Sequence, residues 1–297
     1  MSRDWMKQRE RGSGTLIRLI VWIALRLGRP VARGLLYPIA LYFLTFSVTS
    51  RRASRDYLAR VLDRQPRLTD LFRHYHTFAS VILDRVYMLA DESSRFRVRI
   101  FGRELLAEHL TDGRGCILLG SHLGSFEVLR TQGVIHADVP FKVLMYDANA
   151  AKINAVLESI NPDIGQMVIP VGRPDTLLRA KEAVDRGELL GILGDRITSE
   201  DRTVICRFLG GTARLPAGPL YLAGLLRVPV FIAFGLCRGN GEYDIHIERL
   251  TEAVALDGPD KMDSVRYWAQ RYADRLEHYC RQAPFNWFNF YDFWAAS

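Results

Sequence analysis

From residue 96 to residue 281, short apolar runs alternate with longer stretches of helical periodicity, and that alternation restricts the fold more than any other feature. Strand candidates are Phe96–Phe101, Gly115–Leu119, Phe141–Met145, Gln166–Val171, Leu189–Leu193, Val204–Phe208, Val228–Phe234 and Tyr243–Glu248. Helix candidates are Phe126–Gln132, Ala148–Glu158, Pro174–Asp185, Ala217–Leu226 and Met262–Arg281, preceded by a long amphipathic run over Arg67–Leu89. Such alternation predicts an α/β architecture with a mainly parallel central sheet flanked by helices. A chain of 297 residues can bury a sizeable core. We divide it into a basic helical segment at 1–60 and an α/β domain at 61–297, with no repeats and no low-complexity stretch.

Charge supports that division. Residues 1–60 carry twelve Lys or Arg against three Asp or Glu, a local balance of +9 within a net charge of +7. The basic residues are interleaved with Leu, Ile, Trp and Tyr, unlike a disordered leader. Leu16–Leu27 and the uncharged Gly34–Ser50 are apolar, and Arg29, Arg33, Arg51, Arg52 and Arg55 flank the second stretch on both sides. An interfacial or re-entrant helical hairpin on an anionic membrane fits this pattern; a single span and a buried helix are the other readings. Nucleic acid is not an expected partner. The four cysteines form no CxxC pair and read as reduced core residues of a protein on the cytoplasmic side.

The chemistry centres on Gly120-Ser121-His122-Leu123-Gly124-Ser125-Phe126-Glu127, which follows the apolar run Cys116–Leu119. Five residues along a straight helix separate two side chains by about 140°. His122 and Glu127 can therefore meet only if His122 lies in the turn before the helix. Glu127 would then reach back, fix the imidazole tautomer and make His122 a general base. Free amides at the helix start could hold an oxyanion. The competing reading is a capped strand–helix turn with an incidental histidine.

Other motifs add charge without a nucleophile. Asp195-Arg196 follows the strand candidate Leu189–Leu193, where an α/β fold places its sites, and reads as phosphate or oxyanion handling or as a structural ion pair. Arg207 and Arg214 bracket Gly210 and Gly211 in what reads as a loop, either plain or close to a ligand. There is no Walker loop, GxGxxG, HExxH or GxSxG elbow. His74 and His76 face apart on a helix, so no metal is expected. The segment Phe285–Trp294 holds seven aromatic residues in ten. It reads as a closure of the core, as the wall of a lipid tunnel or as a second interfacial anchor.

Taken in order, these blocks resemble the lysophospholipid acyltransferase superfamily. The His-x-x-x-x-Glu block is His122–Glu127, and the strand-end acid–arginine block is Asp195-Arg196. A Phe-x-Gly-x-x-Ala-x-x-x-x-Gly block runs through Phe208, Gly210, Ala213 and Gly218, and an apolar strand follows Pro229. The resemblance spans roughly residues 95–250 and is strongest to the bacterial branch with the late acyltransferases of lipid A, where Glu at position 127 is usual. The aromatic ending, with Arg52, Ser54, Tyr57 and Leu58, is similar to a subgroup that accompanies aryl polyene and glycolipid biosynthesis. The resemblance implies an acyltransferase on the cytoplasmic face of the inner membrane. It would move a fatty or polyene acyl group from an acyl carrier protein or coenzyme A thioester to a hydroxyl of a lipid or glycolipid, without a cofactor. His122 and Glu127 would be catalytic. Asp195, Arg196, Arg207, Gly210, Gly211 and Arg214 would bind substrate. A non-catalytic lipid-binding scaffold and a thioester or lipid hydrolase are the alternatives.

Overall fold

A computed structural model of the chain describes residues 14–90, 92–129, 131, 140–145, 160, 167–198, 201–256 and 260–294. Its centre is a seven-stranded sheet in the order β1-β9-β8-β2-β5-β3-β4. The strands are β1 Arg97–Phe101, β2 Cys116–Gly120, β3 Phe141–Met145, β4 Val168–Pro170, β5 Leu189–Leu193, β8 Val230–Gly239 and β9 Glu242–Thr251. All pairings are parallel except β8 with β9. That hairpin turns on Asn240-Gly241, both at positive φ, as a tight two-residue connection requires. Every residue of β2 is buried, which explains why it reads as an unbroken apolar run.

Alternate residues of β2 serve two cores. Ile117 and Leu119 face a core shared with α7 Thr176–Asp185, α8 Gly218–Leu226 and α9 Lys261–Gln282, through residues such as Ala180, Leu220 and Tyr272. Cys116 and Leu118 face Tyr87 and Met88 of α4 Leu68–Leu89 and Leu106 of α5 Arg103–Leu110. All four cysteines are buried free thiols. The expected helix at Ala148–Glu158 lies outside the described residues. The one expected at Phe126–Gln132 begins as the short α6 Phe126–Val128.

One expectation is corrected. The stretch after Phe208 is not a loop but the returning half of an antiparallel ribbon, β6 Thr203–Phe208 with β7 Gly211–Pro216. Leu209 and Gly210 make its turn, both at positive φ. The strand was hidden because Thr212, Ala213 and Arg214 give no clear alternation next to two glycines.

The described part of the basic N-terminal segment is helical: α1 Gly14–Leu27, α2 Arg29–Phe46 and α3 Val48–Leu62. Gly28, at φ +85, breaks α1 from α2. Among the described residues no single helix is long and apolar enough to cross a membrane; α2 and α3 pass on length and apolarity only together, and they are bent by 97°. One face of this segment packs inward through Ala24, Ala32, Leu36, Ala40 and Leu44. A bidentate pair from Arg29 to Asp84 of α4, at 2.9 and 3.0 Å, ties α2 down. Tyr243 of β9 donates to the same carboxylate at 2.9 Å. Removing one partner of so buried a pair costs about 3–5 kcal/mol.

His74 of α4 is fully buried and clamps three segments. Its Nε2 lies 2.8 Å from the Trp287 carbonyl and its Nδ1 lies 2.8 Å from the Ser54 hydroxyl of α3. A carbonyl can only accept, so Nε2 carries the proton and Ser54 donates to Nδ1. Burial pushes this imidazole down to about 4, against a smaller upward pull from the Trp287 carbonyl. The unfolded chain thus binds a proton near pH 6.5 that the native state refuses until about pH 4. Stability held above pH 6.5 should fall by up to about 3 kcal/mol as the pH drops through that window. Denaturant unfolding at pH 7 and pH 4.5 should show the loss, and His74→Gln should flatten it.

Candidate active site

His122 and Asp195 meet because of strand register. β2 and β5 are parallel neighbours, with Gly120 opposite Leu193. Each of the two residues lies two positions past its strand, so they leave the carboxyl edge of the sheet side by side. The Gly194 amide donates to the Gly120 carbonyl at 3.0 Å. Tyr272 of α9 donates to that carbonyl at 2.8 Å, fixing both strand exits.

The turn that carries His122 is pressed against β8. Gly124 has φ +70, and a Cβ there would lie 2.0 Å from the Gly235 carbonyl oxygen, so only glycine fits. The Ser125 amide donates to Gly235 at 2.7 Å, and the Gly124 amide donates to Asn286 at 2.8 Å. The Ser125 hydroxyl caps α6 by accepting from the Val128 amide. These three amides are thus engaged within the protein.

Asp195 is fully buried and gathers four donors. Oδ1 accepts from His122 Nδ1 at 2.8 Å. Oδ2 accepts from the His122 amide at 3.0 Å, the Trp287 indole at 2.9 Å and the Asn289 side-chain amide at 2.8 Å. Burial alone would raise this carboxyl; the nearby His122, its hydrogen bonds and Arg196 outweigh that and hold it at about 2. An ionised Asp195 requires the proton on Nδ1, which leaves the lone pair on Nε2. The His122 side chain is 26% exposed, so the ring reaches the surface while its partner does not. Burial first, then Arg196, press the imidazole below its ordinary value, and Asp195 opposes them. A neutral ring with a fixed tautomer and an open nitrogen is what a general base requires.

The orienting hydrogen bond expected from Glu127 is therefore made by Asp195. Glu127 is buried at the start of α6 and accepts from Arg85 of α4 at 3.1 Å. The reason lies in the backbone: His122 leaves the turn toward the β5 edge, while Glu127 lies on the side of α6 that faces α4. Arg196 stays with the pair. It donates to Asn289 Oδ1 at 2.8 Å and to the Phe288 carbonyl at 3.1 Å. Arg207, Gly210, Gly211 and Arg214 are not brought to His122 by any described contact. Arg207 is on β6, with its amide on Gln270 of α9, and Arg214 pairs across the ribbon with Ile205. A Cβ on Gly211 would meet Arg60 at 2.7 Å and Trp294 at 3.0 Å, so close packing accounts for that glycine. The ribbon communicates with the site through Phe208, whose ring centroid lies 5.2 Å from that of Trp287.

The contribution of the aromatic segment was not visible as site chemistry. Trp287 and Asn289 lie in a segment read as core closure, lipid-tunnel wall or interfacial anchor, yet they supply half of the donors to Asp195. The alternation of Asn with aromatic residues in Asn286-Trp287-Phe288-Asn289 was the available signal. Asn286 also braces the segment, accepting from the Cys237 amide at 2.7 Å. Among the described residues no group of three His, Cys, Asp or Glu could hold a metal ion.

Fold and site together define an α/β protein with a His–Asp pair at the carboxyl edge of a mainly parallel sheet. The family of bacterial lipid A biosynthesis acyltransferases matches residues 4–295, and the chain belongs to it. No curated protein matches the chain. Membership places the protein among the acyltransferases of lipid biosynthesis.

The geometry fixes a titration order. His122 should titrate with a midpoint below 6.5 when followed by NMR of its ring, identified by its loss in His122→Gln. Asp195→Asn should move the midpoint lower still, because the carboxylate is what opposes burial.

Proposed function

We propose that the protein transfers a fatty or polyene acyl group from an acyl carrier protein or coenzyme A thioester to a hydroxyl of a lipid or glycolipid. The observation that carries this reading is a partly exposed histidine ring whose Nδ1 is held by a buried carboxylate. His122 Nε2 removes the acceptor's hydroxyl proton as its oxygen attacks the thioester carbonyl. The C–S bond then breaks, the carbonyl re-forms, and the departing thiolate recovers the proton from Nε2. Asp195 stabilises the intervening imidazolium, as the acid of a catalytic triad does. No acyl-enzyme forms, because the acceptor is the nucleophile. Arg196 faces the charge that develops nearby. Glu127, paired with Arg85, anchors the turn that carries His122 and acts as its support.

In this reading the N-terminal helices bind the cytoplasmic face of the inner membrane. Leu19, Trp22, Leu27, Leu41, Tyr42 and Phe46 are about half exposed on α1 and α2. Arginines frame this band, a combination suited to an anionic lipid surface. Flotation with vesicles should show binding that is stronger with phosphatidylglycerol than with phosphatidylcholine, and L41E/F46E should weaken both.

Transfer is tested with purified protein in the extracted lipids of its own host, using lauroyl-acyl carrier protein and palmitoyl-coenzyme A as donors and mass spectrometry of the products. His122→Ala should abolish transfer while the protein stays folded and vesicle-bound. Asp195→Asn should cost about 10²–10⁴-fold in turnover, with Glu127→Gln less severe than Asp195→Asn. Normal turnover by His122→Ala would refute the mechanism. Free fatty acid as the sole product would mark a hydrolase, and no thioester consumption at all would mark a binding scaffold.

A further inference from the structure

The aromatic segment near the end of the chain passes behind the His–Asp pair rather than beside it. Trp287 is fully buried, and its indole N–H has a carboxylate oxygen as its acceptor. Asn289, 1% exposed, is used on both sides: its amide nitrogen donates to Asp195 Oδ2 and its oxygen accepts from Arg196. The backbone between these side chains is fixed as well. The Phe288 amide donates to the His122 carbonyl at 2.8 Å, and Leu123 bridges to Trp287. Behind Trp287, its carbonyl is held by His74. The Tyr291 hydroxyl approaches the Asp195 carbonyl at 3.4 Å.

We propose that Trp287 and Asn289 are positioning residues of acyl transfer: together they hold Oδ2 so that Oδ1 stays on the His122 ring, and the Asn289 amide sets where Arg196 stands relative to the pair. The proposal rests on the base reading of His122. Its physical content is a division of labour within one carboxylate. Oδ2 faces two neutral side-chain donors that share its charge, which moderates how strongly Oδ1 pulls on the imidazole proton. With fewer donors, Asp195 becomes a stronger base, the imidazolium is favoured, and His122 holds its proton to higher pH. A base that is already protonated cannot accept the hydroxyl proton.

The other titratable groups around the pair do not compete. Burial raises Tyr272 and Cys280 of α9 and Tyr291 well above neutrality, and His74 stays uncharged to about 4. Arg196 is the charged neighbour, and it acts against the imidazolium.

The test is the NMR titration of the His122 ring in the full-length protein, with Trp287→Phe and Asn289→Leu as variants that remove one donor each and keep much of the volume. In each folded variant the proton affinity of His122 should rise, by roughly threefold to tenfold. The acidic limb of kcat/KM in the lauroyl-acyl carrier protein assay should move to higher pH with it, while KM changes little. A residue that only packs the core would lower the amount of folded protein and leave midpoint and limb in place. That result would overturn the proposal while leaving His122 as the base. Activity in His122→Ala would instead defeat the underlying mechanism. The wild type gives a reading that needs no substitution: the Trp287 indole and Asn289 amide proton shifts should follow the His122 titration, and shifts indifferent to it would also overturn the proposal.

Discussion

The structure around the site depends on one buried negative charge. A carboxylate removed from water is tolerable only if its lone pairs are met by donors, and Asp195 meets four from two separate parts of the chain. That requirement draws the turn after β2, the end of β5 and the aromatic segment to one point. Each donor left without its acceptor would cost about 1–3 kcal/mol, so the arrangement of the pair and the stability of the fold are one requirement. The same burial that makes the charge expensive keeps its partner's ring neutral and ready to take a proton.

The aromatic segment serves both cores. Trp287 lies on the α7–α9 side with Phe208 and Tyr57, and Phe288 lies on the α4 side with His74 and Phe78. It crosses between the two faces of the sheet at the carboxyl edge, where parallel strands leave a gap. His74 connects this crossing to α3 and α4, and through Trp287 this short chain of hydrogen bonds reaches the Asp195 carboxylate.

Much of this was legible in the sequence and some was not, for identifiable reasons. Buried parallel strands such as β2, β3 and β5 announce themselves as uniform apolar runs; β3 and β5 have the expected ends, and β2 lies one residue further along. His122 and Asp195 were both singled out, because each follows such a run directly. What could not be read was their partnership. Seventy-three residues separate them, and only the pairing of β2 with β5 makes them neighbours. Local spacing favoured Glu127, which answers to Arg85 on a helix forty residues earlier. β6 was legible as a strand, but its partner β7 was read as a loop because glycines and a short polar stretch mask its alternation. Trp287 and Asn289 were not read as donors to the site because nothing local distinguishes an aromatic residue that fills space from one that also donates a hydrogen bond.

The equal offset of His122 and Asp195 from paired strand ends has a further consequence. A slip of one residue between β2 and β5 would turn every side chain of the slipped strand to the opposite face and carry the acid away from the imidazole. In the proposed mechanism the chemistry is therefore conditional on correct alignment of the sheet's middle, and an otherwise compact but misaligned chain would be inert. Activity by that mechanism would double as a proofreading signal for the fold's own assembly.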